Sequence, residues 1–313
     1  MRDYNRTVVT DAVFRQLRGR AWPAAALAAA ILAGLVSGVT ADQLQKRLTS
    51  HPADDRCPRW SPDGNLIVFE SRRSGTWDLW SVRPDGSGLQ RLTDDSGNDR
   101  QPTWSPAGGR VAFVSDRGGS PDLYLLELGG RPQRLGAWEG REAQPDWAPD
   151  GRRLVFVSDR DGEARLWTVS VDGGIPRPLA VAPFVAATPR WSPDASVIAC
   201  STRALSDGAE DDIVLLDAEG ETPPVLVTKG PGSGTFPIWA AKGDALIWVG
   251  SPPGRGEVHL VVGGLQGKAA AFFGRGFARL TEPDRSPVTG LVVYAATSGE
   301  GGYDLWLENV PRR

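Results

Sequence analysis

Histidine, cysteine and methionine are scarce in this chain: its 313 residues include two His, two Cys and one Met. Each scarcity excludes a chemistry. His51 and His259 are the whole supply of imidazole bases, and no G-x-S-x-G elbow occurs, so a nucleophile activated by a neighbouring histidine is not expected. A His/Cys metal site fails for the same want of ligands, because Cys57, Cys200 and the two histidines are scattered along the chain. No catalytic residue, cofactor or metal is therefore assigned. A long basic run is also missing, with 35 Lys and Arg set against 38 Asp and Glu for a net charge of −3. An acidic chain of this kind is a poor ligand for phosphate backbones, which argues against nucleic-acid binding.

What the chain does hold is turn formers and tryptophan: 38 Gly, 25 Pro and 12 Trp. That balance fits many short strands packed through large aromatic side chains. The N-terminus is different. Residues Ala21 to Ala41 carry no charge, follow a segment with five Arg and two Asp, and include the apolar run Ala24 to Val36. This reads as an export signal, with cleavage after Val39-Thr40-Ala41, or as an inner-membrane anchor through residues 21–41. The division expected is a signal or anchor helix over 1–41 and a globular domain over 42–313, whose net charge is −6 once the N-terminal segment is removed.

Self-similarity organises the rest. Trp60, Trp104, Trp147, Trp191 and Trp239 recur at intervals of 43 to 48 residues, and Arg285 continues the series. Two residues before each stands a proline: Pro58, Pro102, Pro145, Pro189, Pro237 and Pro283. A tight-turn signal follows most of them, as in Ser61-Pro62-Asp63-Gly64. An aliphatic and a bulky residue then appear at strand spacing, as in Ile67/Phe69, Val111/Phe113 and Leu154/Phe156. A third strand starts at Asp78-Leu79-Trp80 and its equivalents, and a fourth ends in Arg91-Leu92-Thr93 or Arg134-Leu135.

Four short strands in about 45 residues make one propeller blade, so six units predict an all-β, six-bladed β-propeller. The sixth unit lacks an outer strand, whereas Gln45 to Thr49, ending Arg47-Leu48-Thr49, is an outer strand with no blade before it. The N-terminal strand is expected to close the ring and cover its exposed edges. Cys57 and Cys200 then fall in blades one and four, too far apart for a disulfide, and both are expected to be reduced. The anchoring tryptophans are expected in the core. Trp77 and Trp138 lie outside that register and are expected to be exposed, and His259 is aligned with Trp80, Tyr124 and Trp167 as a packing residue. Asp159-Arg160-Asp161-Gly162 and Asp116-Arg117-Gly118-Gly119 are read as turns rather than calcium loops.

The phased signature R-L-T, P-x-W-S-P-D-G, I-x-F-x-S and D-L-W resembles the repeat of the TolB-type (WD40-like) bacterial propellers over nearly all of residues 45 to 313. TolB carries an extra domain ahead of its propeller, and only a short linker stands there in this chain, so the resemblance is to the propeller alone. It implies a periplasmic or secreted module, and the same repeat also occurs in the propellers of some peptidases.

Strand alternation puts the S-P-D-G turns on one face and the long loops on the other, where variable binding residues usually sit. Those loops are charged in blades one to three and apolar in blades four to six, with Phe272-Phe273 further on. Arg56, Asp99, Arg100, Glu142, Phe184 and Phe236 are accordingly the candidate contacts for a protein or peptide partner, bound by a monomer. The alternative for the phenylalanines is a solvated rim with their rings tucked into the blades. The alternative function is a propeller enzyme acting on a carbohydrate or lactone through carboxylates at the channel mouth.

Overall fold

Each repeat folds as a four-stranded antiparallel meander, because a turn former follows every run of alternating apolar residues. The structure is a computed structural model that describes residues 45–179, 184–204, 211–228, 234–251, 258–265, 269–274, 276–297, 299 and 301–309. The expected signal or anchor over 1–41 lies outside the described residues, among which no helix is long and apolar enough to cross a membrane.

The chain begins with the short strand β1 (Gln45–Arg47) and then builds blade one from β2 (Asp55–Trp60), β3 (Ile67–Ser71), β4 (Asp78–Val82) and β5 (Gln90–Arg91). Blade two is β6 (Asp99–Trp104) to β9 (Gln133–Arg134), and blade three is β10 (Glu142–Trp147) to β13 (Arg177–Pro178). Blade four runs from β14 (Phe184–Trp191) to β17 (Val225–Leu226), and blade five from β18 (Gly234–Trp239) to β21 (Ala269–Phe273). Blade six has β22 (Arg279–Arg285), β23 (Leu291–Thr297) and β24 (Asp304–Asn309) from the C-terminal end of the chain. Its fourth place is taken by β1, which lies antiparallel to β24 with Lys46 opposite Leu307.

The core is six apolar clusters, each lying between two neighbouring blades. The anchoring tryptophans fill these gaps and are 5–9% exposed. Trp60, Ile67 and Phe69 of blade one meet Val293, Leu305 and Leu307 of blade six in the same manner as every other pair. The R-L-T and D-L-W motifs bind each other within a blade. Arg91 pairs with the buried Asp78 at 2.9 Å, and Thr93 Oγ1 accepts the Leu79 N–H at 3.0 Å. In blade six Arg47 pairs with Asp304, and Thr49 Oγ1 accepts the Leu305 N–H at 2.9 Å, so β1 reproduces the outer strand of the other blades residue for residue.

Three expectations are corrected. Trp77 is buried at 6% exposure, and Trp138 is half-buried, stacked on Phe156 at 6.1 Å with its Nε1 donating to the Gly174 carbonyl. His259 is buried but pairs with Gly250, so it takes the strand position of Asp78 and Asp122, while Val261 takes that of Trp80. Phe272 and Phe273 belong to the outer strand β21 rather than to a long loop. Both cysteines are buried and free.

Candidate functional site

The proline of each repeat has a geometric reason. Every innermost strand carries a β-bulge, between Arg56 and Arg59 in blade one and at the equivalent place in the other five. A proline in the bulge forfeits no ladder hydrogen bond, because its missing N–H would have had no partner on the adjacent strand. The residue before it is Cys57, Gln101, Gln144, Thr188, Phe236 or Glu282, each with φ between 49° and 56°. This left-handed conformation is uncommon for a side chain other than glycine.

The bulge frees one backbone N–H per blade, and a buried donor must find an acceptor. In blades one to four the neighbouring blade supplies it. Gln144 N donates to Gln101 Oε1 at 2.8 Å and Thr188 N to Gln144 Oε1 at 2.7 Å. Cys57 N donates to Glu282 Oε2 at 2.8 Å, which carries the pattern from blade six to blade one. Cys57 is too short to serve blade two in turn, and Glu70 of β3 replaces it, accepting the Gln101 N–H at 2.7 Å.

Two carboxylates thereby flank one thiol at the innermost strands. Burial, followed by the charge of Glu282, pushes the Glu70 carboxyl up to about 7. Burial, then Glu282 and Glu70, raises the Cys57 thiol well above its ordinary value, so it stays protonated and is no nucleophile. One step nearer the turn face, Asp284 Oδ2 accepts the Trp60 N–H at 2.7 Å and Asp146 Oδ2 accepts the Trp191 N–H at 2.9 Å. Burial raises these carboxyls to about 6 and about 7, with Arg59 opposing both shifts. Among the described residues no group of three or more His, Cys, Asp or Glu is arranged to hold a metal ion.

The residues marked in the sequence divide between the interior and the long-loop face. Asp99 is fully buried and paired with Arg117 at 2.7 Å, and Glu142 is paired with Arg160 at 3.0 Å. Burial raises both carboxyls, against the hydrogen bonds of Ser115 and Arg117 on Asp99 and the charge of Arg160 on Glu142. Asp55 and Arg73 form the same pair in blade one at 2.7 Å. Phe184 opens β14, with Ala204 as its strand partner. Phe236 is half-buried against the cluster between blades five and six.

Arg56 and Arg100 do come together, on Trp77, which lies outside the repeat register. Their guanidinium carbons lie 5.8 and 4.8 Å from the Trp77 ring, and Arg72 lies 5.6 Å from it. Arg56 also covers Tyr303 at 4.2 Å. Nearby, a pocket of about 330 Å³ opens beside β1, lined by Arg47, His51, Thr297, Gly302, Asp304 and Trp306.

This architecture defines a six-bladed β-propeller whose innermost strands are hydrogen-bonded from blade to blade between blade six and blade four, by way of blades one to three. Comparison with known proteins places its repeat. Residues 76–203 match the family described as the Tricorn protease N-terminal beta propeller domain. A 44-residue stretch, 14% of this chain and 10% of the relative, is 46% identical to the Tol-Pal system protein TolB of Syntrophus aciditrophicus. The crystal structure of TolB from Acinetobacter baumannii is similar with a TM-score of 0.62 at 20% identity, over 71% of this chain and 54% of that one. Oligogalacturonate lyase from Vibrio parahaemolyticus gives 0.61 at 14% identity, over 86% and 94%. The chain is a six-bladed propeller whose repeat is similar to that of the TolB proteins, and it spans about half the length of the TolB structure it matches.

Proposed function

We propose that this protein is an exported, monomeric propeller that binds a protein or extended peptide across its long-loop face in the bacterial cell envelope. The observation that carries the reading is the state of the charges on the two faces. On the turn face the acids are consumed locally: Asp63 Oδ1 accepts from Ser61 Oγ at 2.6 Å and Asp194 Oδ1 from Ser192 Oγ at 2.7 Å. On the long-loop face Arg72 and Arg100 are exposed and, among the described residues, in no salt bridge. The likeness to TolB, a Tol-Pal system protein, supports the envelope setting, as does the uncharged stretch 21–41 read as a signal or an inner-membrane anchor. Arg56 and Arg100 are the direct contacts. Asp99 and Glu142 act by fixing Arg117 and Arg160 beneath the loops, and Phe184 and Phe236 supply the apolar half. In this reading β1 is the strand that closes the ring.

The test is a photocrosslinking amino acid placed at Arg100 on the long-loop face and, separately, at Asp150 on the turn face. In an envelope extract of the source cells a discrete protein adduct is expected from Arg100 alone. An adduct from Asp150 alone overturns the assignment of the face.

A second reading is favoured by the inner-ring carboxylates. A carboxyl held near neutrality beside another carboxylate is suited to acid–base work on a carbohydrate or lactone. Turnover of oligogalacturonate or gluconolactone, lost in Glu282→Gln, would replace the binding reading; no turnover by the parent removes it for those substrates.

A further inference from the structure

The three arginines around Trp77 concentrate like charge on an acidic protein; Arg56 is paired with Asp54, while Arg72 and Arg100 are in no salt bridge among the described residues. Their convergence is built. Trp77 is almost wholly buried, and its carbonyl is tied to the Asp99 N–H at 2.7 Å, so the ring is a fixed platform. Arg56 comes from the innermost strand of blade one, Arg72 from the loop after β3, and Arg100 from the innermost strand of blade two. All three guanidinium carbons lie within 6 Å of the same ring. Attraction to the ring face partly offsets the mutual repulsion.

The carboxylates close by are already engaged. Asp54 accepts from Arg56 at 2.8 Å and from the Tyr303 N–H at 2.9 Å. Asp95 and Asp99 both serve Arg117 at 2.6 and 2.7 Å, and Asp116 is held by Asn98 at 2.7 Å. Glu70 is bound to the Gln101 N–H. The face thus presents flat guanidinium forks whose geometry matches carboxylates.

We infer that the occupant of the long-loop face presents a short acidic segment, whose carboxylates seat on Arg56, Arg72 and Arg100 around Trp77. This inference rests on the binding reading given above. A long polyanion such as single-stranded nucleic acid fits less well, since the whole chain is net acidic and repels charge beyond the three-arginine patch.

The probe is fluorescein-labelled hexaglutamate added to the full-length protein at low ionic strength, with hexaglutamine and a ten-residue oligothymidylate as comparisons. Hexaglutamate is expected to raise the anisotropy, hexaglutamine to have no effect, and added salt to weaken the complex. Arg72→Gln and Arg100→Gln should each weaken it about fivefold or more, and Arg152→Gln on the turn face should not. Arg100→Lys, which keeps the charge, should retain part of the affinity. Near-ultraviolet circular dichroism verifies that each variant is folded. Failure of hexaglutamate to bind, equal loss with Arg152→Gln, or tighter binding of the oligothymidylate overturns the inference. These outcomes are separable from failure of the underlying reading: an adduct at Arg100 with no hexaglutamate affinity rejects the acidic segment alone, and an adduct only at Asp150 rejects the face.

Discussion

Cys57, Gln101, Gln144, Thr188, Phe236 and Glu282 share one backbone conformation but not one side-chain chemistry. A left-handed residue other than glycine costs about 1 kcal/mol, and here the cost recurs at the bulge of every blade; in blades one to four the bulge turns an N–H toward the neighbouring blade. Glu70 is the informative member of this network. Its carboxyl faces Glu282 and Cys57, with the charge of Arg100 opposing the upward shift, and it titrates near 7 rather than near its ordinary 4.5. The folded chain therefore binds more protons than the unfolded chain between these values. The associated stabilisation is fully present below about pH 4.5 and is lost as pH rises through about 7. Glu70→Gln keeps an acceptor for the Gln101 N–H and removes the charge. Its urea midpoint should exceed the parent's at pH 8, and its decline from pH 5 to pH 8 should be shallower. Asp146 and Asp284 titrate in the same sense, so the difference between variant and parent is the quantity to measure; identical slopes would remove Glu70 as a titrating group.

At the scale of the strand, the repeat was legible where side chains are buried by type and hidden where the backbone does the work. Tryptophan at 43 to 48 residue spacing, the proline two positions earlier and the R-L-T and D-L-W pairs revealed six blades, because each motif has a fixed contact such as Arg91 with Asp78. The inner ring was not legible, since its members range from Cys to Phe and are united by φ alone. Glu70 hid in the variable position of I-x-F-x-S, where Val114, Val157 and Val249 stand in other blades. His259 was misaligned by two residues because the link between β19 (Ala245–Gly250) and β20 (His259–Gly264) is longer than its equivalents in blades one to three. The strand β1 permits a direct test. Deleting residues through Thr49 removes the Arg47–Asp304 pair, the pairing of β1 with β24 and further hydrogen bonds to blade six, among them Leu305 N to Thr49 Oγ1 and Leu48 N to Leu305 O. A loss of about 3 kcal/mol is expected, which for a chain of this size lowers Tm by about 5–10 °C. A truncated domain that melts at the parent's temperature would show that blade six holds its place without β1.

Across the whole molecule the ring is not uniform. At the start of the innermost strand, blades one to three carry Asp55, Asp99 and Glu142, each in a buried pair with arginine, whereas blades four to six carry Ala186, Gly234 and Leu280. In the binding reading, the loops above these positions are charged over blades one to three and apolar over blades four to six. If a partner spans both halves, the two should contribute differently. Exposed arginines act at long range and set the encounter rate, whereas desolvated aromatic contacts set the lifetime. With the partner recovered by crosslinking at Arg100, Arg56→Ala and Arg100→Ala should lower the association rate several-fold and reduce its salt dependence, leaving dissociation little changed. Phe184→Ala and Phe236→Ala should instead speed dissociation, by an amount corresponding to about 1–3 kcal/mol each. Phe236 also packs between blades five and six, so its variant must first be shown to melt as a single cooperative unit. Asp63→Ala and Asp150→Ala, in turns of the opposite face, should change neither rate. Surface plasmon resonance at two ionic strengths separates these cases. Loss of binding in the turn variants, with the arginine and phenylalanine variants unaffected, would place the partner on the face of the tight turns.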